Sequence, residues 1–351
     1  MQLSHLVQLG LFDFIFGPIA QLFGWLTSLL YEFFGNFGLA IIFMTIIVRG
    51  LTMPLNVRSA KAMMKQQTLA DKQAAIKRKY ADDKQKQDEE MQKLLQENGI
   101  STFSGCLVPL LPIFFLFPTY YIVRCPLQYI MGVSRSNIKQ IGEILNISGV
   151  VEDNISLITR LQNDGAAMSS VVKRGLITAQ QIPDMKFLGM DLGKKPSFNP
   201  GTIAKEPSIY LPLLIIPALV LLTTLLQNYL MAATRADAKK RKEDKERAKN
   251  NPAFNAPDDP AARTTKIMNI IMPAFMLATT FWLPAAFGFY WIVGNLMGVI
   301  QTVLTYYMFN KPYEEKKKEL LEKKKMVFKK KQKLEAQASG NASGKSGKNK
   351  K

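Results

Sequence analysis

Residues 35–55 read Gly35-Asn36-Phe37-Gly38-Leu39-Ala40-Ile41-Ile42-Phe43-Met44-Thr45-Ile46-Ile47-Val48-Arg49-Gly50-Leu51-Thr52-Met53-Pro54-Leu55. At about 1.5 Å per residue this run is long enough, as a helix, to cross a hydrocarbon core of about 30 Å. A single charge, Arg49, stands inside it. Outward from this stretch, the windows 105–123, 207–233 and 267–309 hold no Asp, Glu, Lys or Arg. The charges are concentrated between them. Residues 58–99 carry ten Lys/Arg and seven acids, residues 234–266 ten and six, and residues 311–351 fifteen and five. The chain of 351 residues is 48% hydrophobic yet has 46 Lys+Arg against 27 Asp+Glu, a formal +19. A mean hydropathy of +0.01 therefore hides a segregated sequence. No ordinary soluble fold separates charge in this way. The pattern predicts an all-α integral membrane protein with several spans.

The spacing predicts ten segments. Residues 1–34 form an external interfacial helix, since Leu11–Phe34 is apolar but broken by Asp13, Gly17, Pro18 and Gly24. Trp25 and Tyr31 suit the headgroup level; a sixth span is the alternative reading. The first span is 35–57. Residues 58–104 form a charged helical hairpin turning at Ala81-Asp82-Asp83, and 105–124 form a second span bent by Pro109, Pro112 and Pro118. An extended external loop, 125–206, contains short helices at Ile138–Leu145 and Ile155–Leu161. The third span is 207–233, followed by a basic loop, 234–266. The fourth and fifth spans, 267–283 and 286–309, are linked tightly at Pro284. Residues 310–351 are a basic tail, disordered toward its end. The side holding 58–99, 234–266 and 311–351 carries 35 Lys/Arg in 116 residues, against 9 in 118 for residues 1–36 and 125–206. The positive-inside rule places the dense side in the cytoplasm, with the N-terminus outside.

Little here suits an enzyme. There is one histidine and no nucleophile–base pair or metal-ligand grouping, so no catalytic residue, cofactor or metal is expected. Cys106 and Cys125, nineteen residues apart on one helix, stand about 28 Å apart, too far for a disulfide. The N-terminus, MQLSHLVQLGLFDF, lacks the positive region of a signal peptide and the Arg-rich character of a transit peptide.

Arg49 is the residue that asks for an explanation, because an arginine inside a span costs about 2.5–3.5 kcal/mol. It can snorkel to the headgroups, or face a wet cavity in the cytoplasmic half of the bilayer. Thr45 lies one turn earlier on its face. The third span offers Thr223, Thr224, Gln227 and Asn228; the fifth offers Trp291, Asn295, Gln301, Thr302 and Thr305. Such stripes line a hydrated groove or simply hydrogen-bond between helices. Gly294 and Gly298 read as plain packing positions. The basic tail and hairpin fit anionic lipid or, through salt-dependent phosphate contacts, ribosomal RNA.

The chain resembles the YidC/Oxa/Alb family of membrane protein insertases. The matching pieces are Gly35 to Ile42 running into Thr45 to Leu55, then Ser104-Gly105-Cys106, Met272-Pro273, Pro284, and Tyr290-Trp291-Ile292-Val293-Gly294-Asn295-Leu296 with Ile300-Gln301. The resemblance implies five transmembrane helices around a hydrophilic groove open to cytoplasm and lipid, in the short form that lacks a large periplasmic domain. It implies a substrate-binding groove containing Arg49, Thr45, Gln227, Trp291 and Asn295 in a multi-pass protein of the cell membrane. The implied partners are nascent membrane proteins, the ribosome and anionic lipids, with the Sec translocon left open. Three features depart from the family pattern. The 125–206 connection is unusually long, Pro112-Ile113-Phe114 stands where Gln-x-Pro is usual, and no N-terminal cysteine is present to take a lipid. Two other functions fit parts of the sequence: a small-anion transporter or channel, which should show paired intramembrane charges or broken half-helices, and a passive ribosome tether, which needs the tail but not the polar stripes.

Overall fold

The computed structural model describes residues 10–100, 115–235, 238–251, 260–323, 325–327 and 329. Helices carry most of them, and the only strands among the described residues are a two-stranded hairpin. Helix α1 (Gly10–Phe34) ends where Gly35, at φ +63°, reverses the chain in a backbone region open to glycine. The next residue, Asn36, caps α2 (Phe37–Thr68) by accepting from the Leu39 amide at 3.1 Å.

No break separates the expected span and hairpin at 57/58. Helix α2 continues through Pro54 as one piece of 32 residues. Proline removes one amide donor, and in the adjoining turn Thr52 Oγ1 donates to the Val48 and Arg49 carbonyls at 2.9 and 3.2 Å. The hairpin itself consists of α3 (Ala70–Lys79) and α4 (Lys84–Glu97), with Asp83 capping α4 through the Lys86 amide. Its core is small, formed by Leu69, Leu94 and Ile100 with Ile76 and Leu95.

Among the described residues, three helical stretches are long and apolar enough to cross a membrane: Phe37–Thr68, Pro207–Ala233 and Ala285–Val327. The second comprises α11 (Pro207–Leu213) and α12 (Ile215–Ala233). The third begins with α15 (Ala285–Thr305), passes through a five-residue π turn at Tyr306–Asn310, and goes on as helix. Helix α14 (Pro260–Trp282) has a shorter apolar part, Ile270–Trp282. Residues 115–124 form α5; the rest of the expected second span, with Cys106, Pro109 and Pro112, lies outside the described residues, as does most of the tail. Helix α15 is central, packing on both α12 and α2, while α14 packs on α12 and α1 on α2.

Residues 125–199 are more than a polar loop. They fold into α6 (Pro126–Tyr129), α7 (Arg135–Ile144), α8 (Ile155–Asn163), α9 (Gly165–Lys173) and the hairpin β1 (Lys186–Phe187) and β2 (Met190–Asp191). Each of the longer helices has one apolar face. Ile138 and Ile141, Leu157 and Ile158, Val171 and Leu192 turn those faces into a core continuous with that of the long helices. Cys125 is buried there beside the Val151 and Glu152 carbonyls, and burial pushes its thiol up to about 12.

This unit is fastened to one end of the bundle. The Lys194 and Leu192 carbonyls accept from the Ala285 and Ala286 amides at the start of α15 (2.9 and 3.0 Å), and Asn36 Nδ2 donates to the Lys186 carbonyl (3.2 Å). Phe187 lies against Gly38, where an added Cβ would collide with its ring, and meets Phe289 edge-on at 5.3 Å.

Candidate functional site

The three central helices change character at one level. In α2 the buried positions Phe37, Ala40, Ile41, Met44, Thr45 and Val48 come first. In α12 they are Ile216, Pro217, Val220, Thr223 and Thr224. In α15 they run from Ala285 to Gly294 and Asn295. Beyond Val48, Thr224 and Asn295 the same helices line a cavity of about 260 Å³. Arg49, Gln227 and Gly298 line it next to the dry half, and Gln67, Arg235 and Asn310 line it farthest along the chain from that half. Arg49 lies twelve residues into α2 and Gly298 thirteen into α15, so the dry part of each helix is about 18–20 Å long. Against a hydrocarbon core of about 30 Å, the cavity reaches inward by roughly its last 10–12 Å.

The dry half closes the inner end. Phe287, Tyr290 and Trp291 pack with ring centroids 5.5–5.6 Å apart and are at most 4% exposed. Two glycines of α15 then make room for side chains of the other helices. The Arg49 guanidinium lies on Gly294, where a Cβ would stand 2.9 Å from Nη2, and the Gln227 carboxamide lies on Gly298. Both glycines read as packing positions in the sequence; in the structure, the side chains they admit are polar.

The cavity is rich in donors. Arg49 Nε and Asn228 Nδ2 are buried without a partner, and no carboxylate pairs with Arg49 among the described residues. The Tyr290 hydroxyl is the polar group beside the guanidinium. A guanidinium Nε–H and an amide left without acceptors are costly to bury unless water or an acceptor-bearing ligand reaches them. The rest of the lining mixes uncharged polar side chains (Asn56, Ser59, Thr234, Gln301, Thr302, Thr305) with apolar ones (Ala60, Met63, Met64, Phe115, Met231, Ala232).

Of the five residues expected in the groove, the structure brings Arg49 and Gln227 to the cavity and holds the other three in the dry contact above it. Thr45 is 1% exposed and donates to the Ile41 carbonyl one turn back at 2.7 Å. Asn295 donates to Thr223 Oγ1 and Thr224 Oγ1 at 3.0 and 2.8 Å, tying α15 to α12. Trp291 stacks edge-on against Phe287, with its Nε1 unpartnered. Sequence reasoning missed Asn56, Ser59 and Gln67, which continue the Arg49 face beyond the span. The signal was present: Arg49, Asn56, Ala60, Met63 and Gln67 recur at helical spacing if Pro54 does not end the helix.

The family model described as 60Kd inner membrane protein matches residues 29–313, most of the chain, including α2, α5, α12 and α15, which line the cavity. The chain belongs to that family. It is the YidC/Oxa1 family, the one its sequence resembles. Similar members include the Membrane protein insertase YidC of Brucella suis biovar 1 (strain 1330), 36% identical over 124 residues, which is 34% of this chain and 20% of that protein. The Membrane protein insertase YidC of Caldanaerobacter subterraneus subsp. tengcongensis is 36% identical over 106 residues, 30% of this chain and 52% of that protein. The YidC of Mesorhizobium japonicum is 39% identical over 120 residues, 33% and 19%. The alignments thus span between about a fifth and half of these YidC proteins.

Proposed function

We propose that the chain is a membrane protein insertase. It receives nascent membrane proteins in the cavity below Arg49 and releases their apolar helices into lipid. The observation that carries this reading is the common level at which α2, α12 and α15 change from dry packing to a donor-rich cavity. Moving a polar segment through hydrocarbon is costly because each unpaired backbone group costs several kcal/mol. A wet recess shortens that path by about a third. Arg49, which pairs with no carboxylate among the described residues, attracts acidic or carbonyl-rich parts of an arriving tail. The substrate's apolar helix then moves sideways into lipid, driven by about 25 cal/mol per Å² of surface removed from water. No covalent step is involved. Thr45, Trp291 and Asn295 act by holding the dry wall rather than by touching substrate.

In this reading the cavity opens to the cytoplasm, the N-terminus is outside, and α1 lies along the outer interface. The hairpin α3–α4 meets substrates first. The Lys-rich segment after Asn310 contacts ribosomal RNA phosphates or anionic lipid. Substrates are proteins with one or two spans and short translocated tails. The test is insertion of such a substrate by Arg49→Ala and Arg49→Lys variants. Loss with alanine and retention with lysine is expected; full insertion with alanine removes electrostatic capture from the account.

A further inference from the structure

The hairpin joining β1 to β2 turns through two residues, Leu188 and Gly189, with φ of +50° and +77° between the paired Phe187 and Met190. A two-residue turn with both φ positive favours Asn or Gly at its first position, because a branched side chain is strained there. Leucine is the wrong residue for the turn, and it is also 76% exposed. A position that carries both strain and an exposed apolar side chain invites an explanation by what it touches.

Its place in the fold supplies one. The hairpin is bonded to Asn36 and to the start of α15, so its tip stands at the rim where α2 and α15 begin. Three other large apolar residues from separate segments are exposed at that rim. Phe33, 81% exposed, precedes Gly35 at the end of α1; Trp282, 66% exposed, ends α14 three residues before α15. Phe198, 64% exposed, has its ring tilted by 32° against Phe281, with centroids 3.6 Å apart. The neighbours Lys186 and Lys195 are exposed as well, and their ammonium groups suit lipid phosphates. Apolar residues at the ends of spans, flanked by lysines, form the pattern of a membrane interface.

We propose that Leu188 and Phe198 dip into the headgroup–acyl boundary of the leaflet at this rim, so that the 125–199 unit lies on the lipid surface. The contact would keep Phe187 seated between Gly38 and Phe289 while the opposite end of the bundle handles a substrate. The proposal rests on membrane embedding, not on the insertase reading.

The experiment places nitroxide labels at cysteines substituted for Leu188, Phe198, Phe33 and Val172, one at a time. The full chain is used in liposomes, with Cys106 and Cys125 replaced by serine. Labels at 188 and 198 should collide with oxygen and be shielded from a water-soluble nickel chelate, as at 33. The label at 172, on the exposed face of α9, should show the reverse. Labels at 188 and 198 that match 172, or that are shielded from both reagents as under a protein partner, would overturn the proposal. Leu188→Asn supplies a second measurement, since asparagine suits the turn and the variant folds. In liposomes, hydrogen exchange of residues 184–194 should become several-fold faster once the anchor is gone. Slower exchange, the result of turn strain relieved with nothing lost, would equally overturn it.

Discussion

Gly288 and Gly294 stand six residues apart on α15, about 120° apart around the helix, and meet α12 and α2 respectively; adding a methyl group to each should have opposite consequences. At Gly288 the new Cβ would collide with Cγ2 of Ile216, a β-branched side chain 1% exposed in the dry half. Neither the ring-packed α15 nor Ile216 can give way cheaply, and overpacking of this kind costs about 1–3 kcal/mol. At Gly294 the new Cβ meets Nη2 of Arg49 at 2.9 Å, the far end of a flexible side chain with open cavity beside it. The guanidinium swings aside at little cost. Both substitutions gain about 0.5–1 kcal/mol of helix propensity, so that contribution cancels between them. Gly288→Ala should therefore be less stable than Gly294→Ala by about 1–3 kcal/mol, roughly a fivefold to 150-fold difference in the unfolding equilibrium. Thermal or denaturant unfolding in one detergent measures this directly. Insertion should follow the other order, with Gly294→Ala stable but impaired because Arg49 has moved. Equal stabilities, or a Gly294→Ala protein that is the less stable of the two, would refute the division of α15 into a packed half and an open half.

Two further expectations concern other parts of the molecule. Asn295→Ala removes the hydrogen bonds to Thr223 and Thr224, which should cost about 0.5–2 kcal/mol in detergent unfolding without altering water access at Thr302; changed access at Thr302 would return Asn295 to the cavity. Asp164 caps α9, and the Ala167 amide foremost, with Arg160 and the Ala166 amide, holds its carboxyl below the usual carboxylate range. A lowered value means that its contribution is present above the unfolded value of about 3.9 and is lost as pH falls through the folded one. Protection of the Ala166 and Ala167 amides against exchange should therefore hold down to about pH 4 and drop as pH falls further, and a flat profile below about pH 4 would contradict the cap.

Much of this architecture is legible in the sequence because charge and hydrophobicity vary on the scale of whole helices. The apolar windows, the hairpin turn near Asp82 and the lone Arg49 need no tertiary information. The finer assignments depended on depth and rotation, which one sequence encodes weakly. Thr45, Thr223 and Thr224 look like groove residues, yet each hydroxyl is satisfied by its own helix one turn back. Asn295 reads equally as a groove residue or as an interhelical hydrogen bonder, and its amide donates to Thr223 and Thr224 of α12. The boundary at Arg58 followed the charge pattern, whereas backbone hydrogen bonding carried the helix on to Thr68. The 125–199 unit reads as polar because its short helices each bury only one face. Its core becomes visible only when Ile138, Leu157 and Val171 meet.

The account stands on where water reaches along α2, α12 and α15, and single cysteines tested with a membrane-impermeant thiol reagent measure that most directly. Cysteines at Asn56, Gln227 and Thr302 should label, while those at Ile41, Val220 and Trp291 stay protected, with the change falling at one level in all three helices. Protection at Gln227 and Thr302, or labelling that continues up to Ile41 and Val220, would contradict a cavity ending at Arg49.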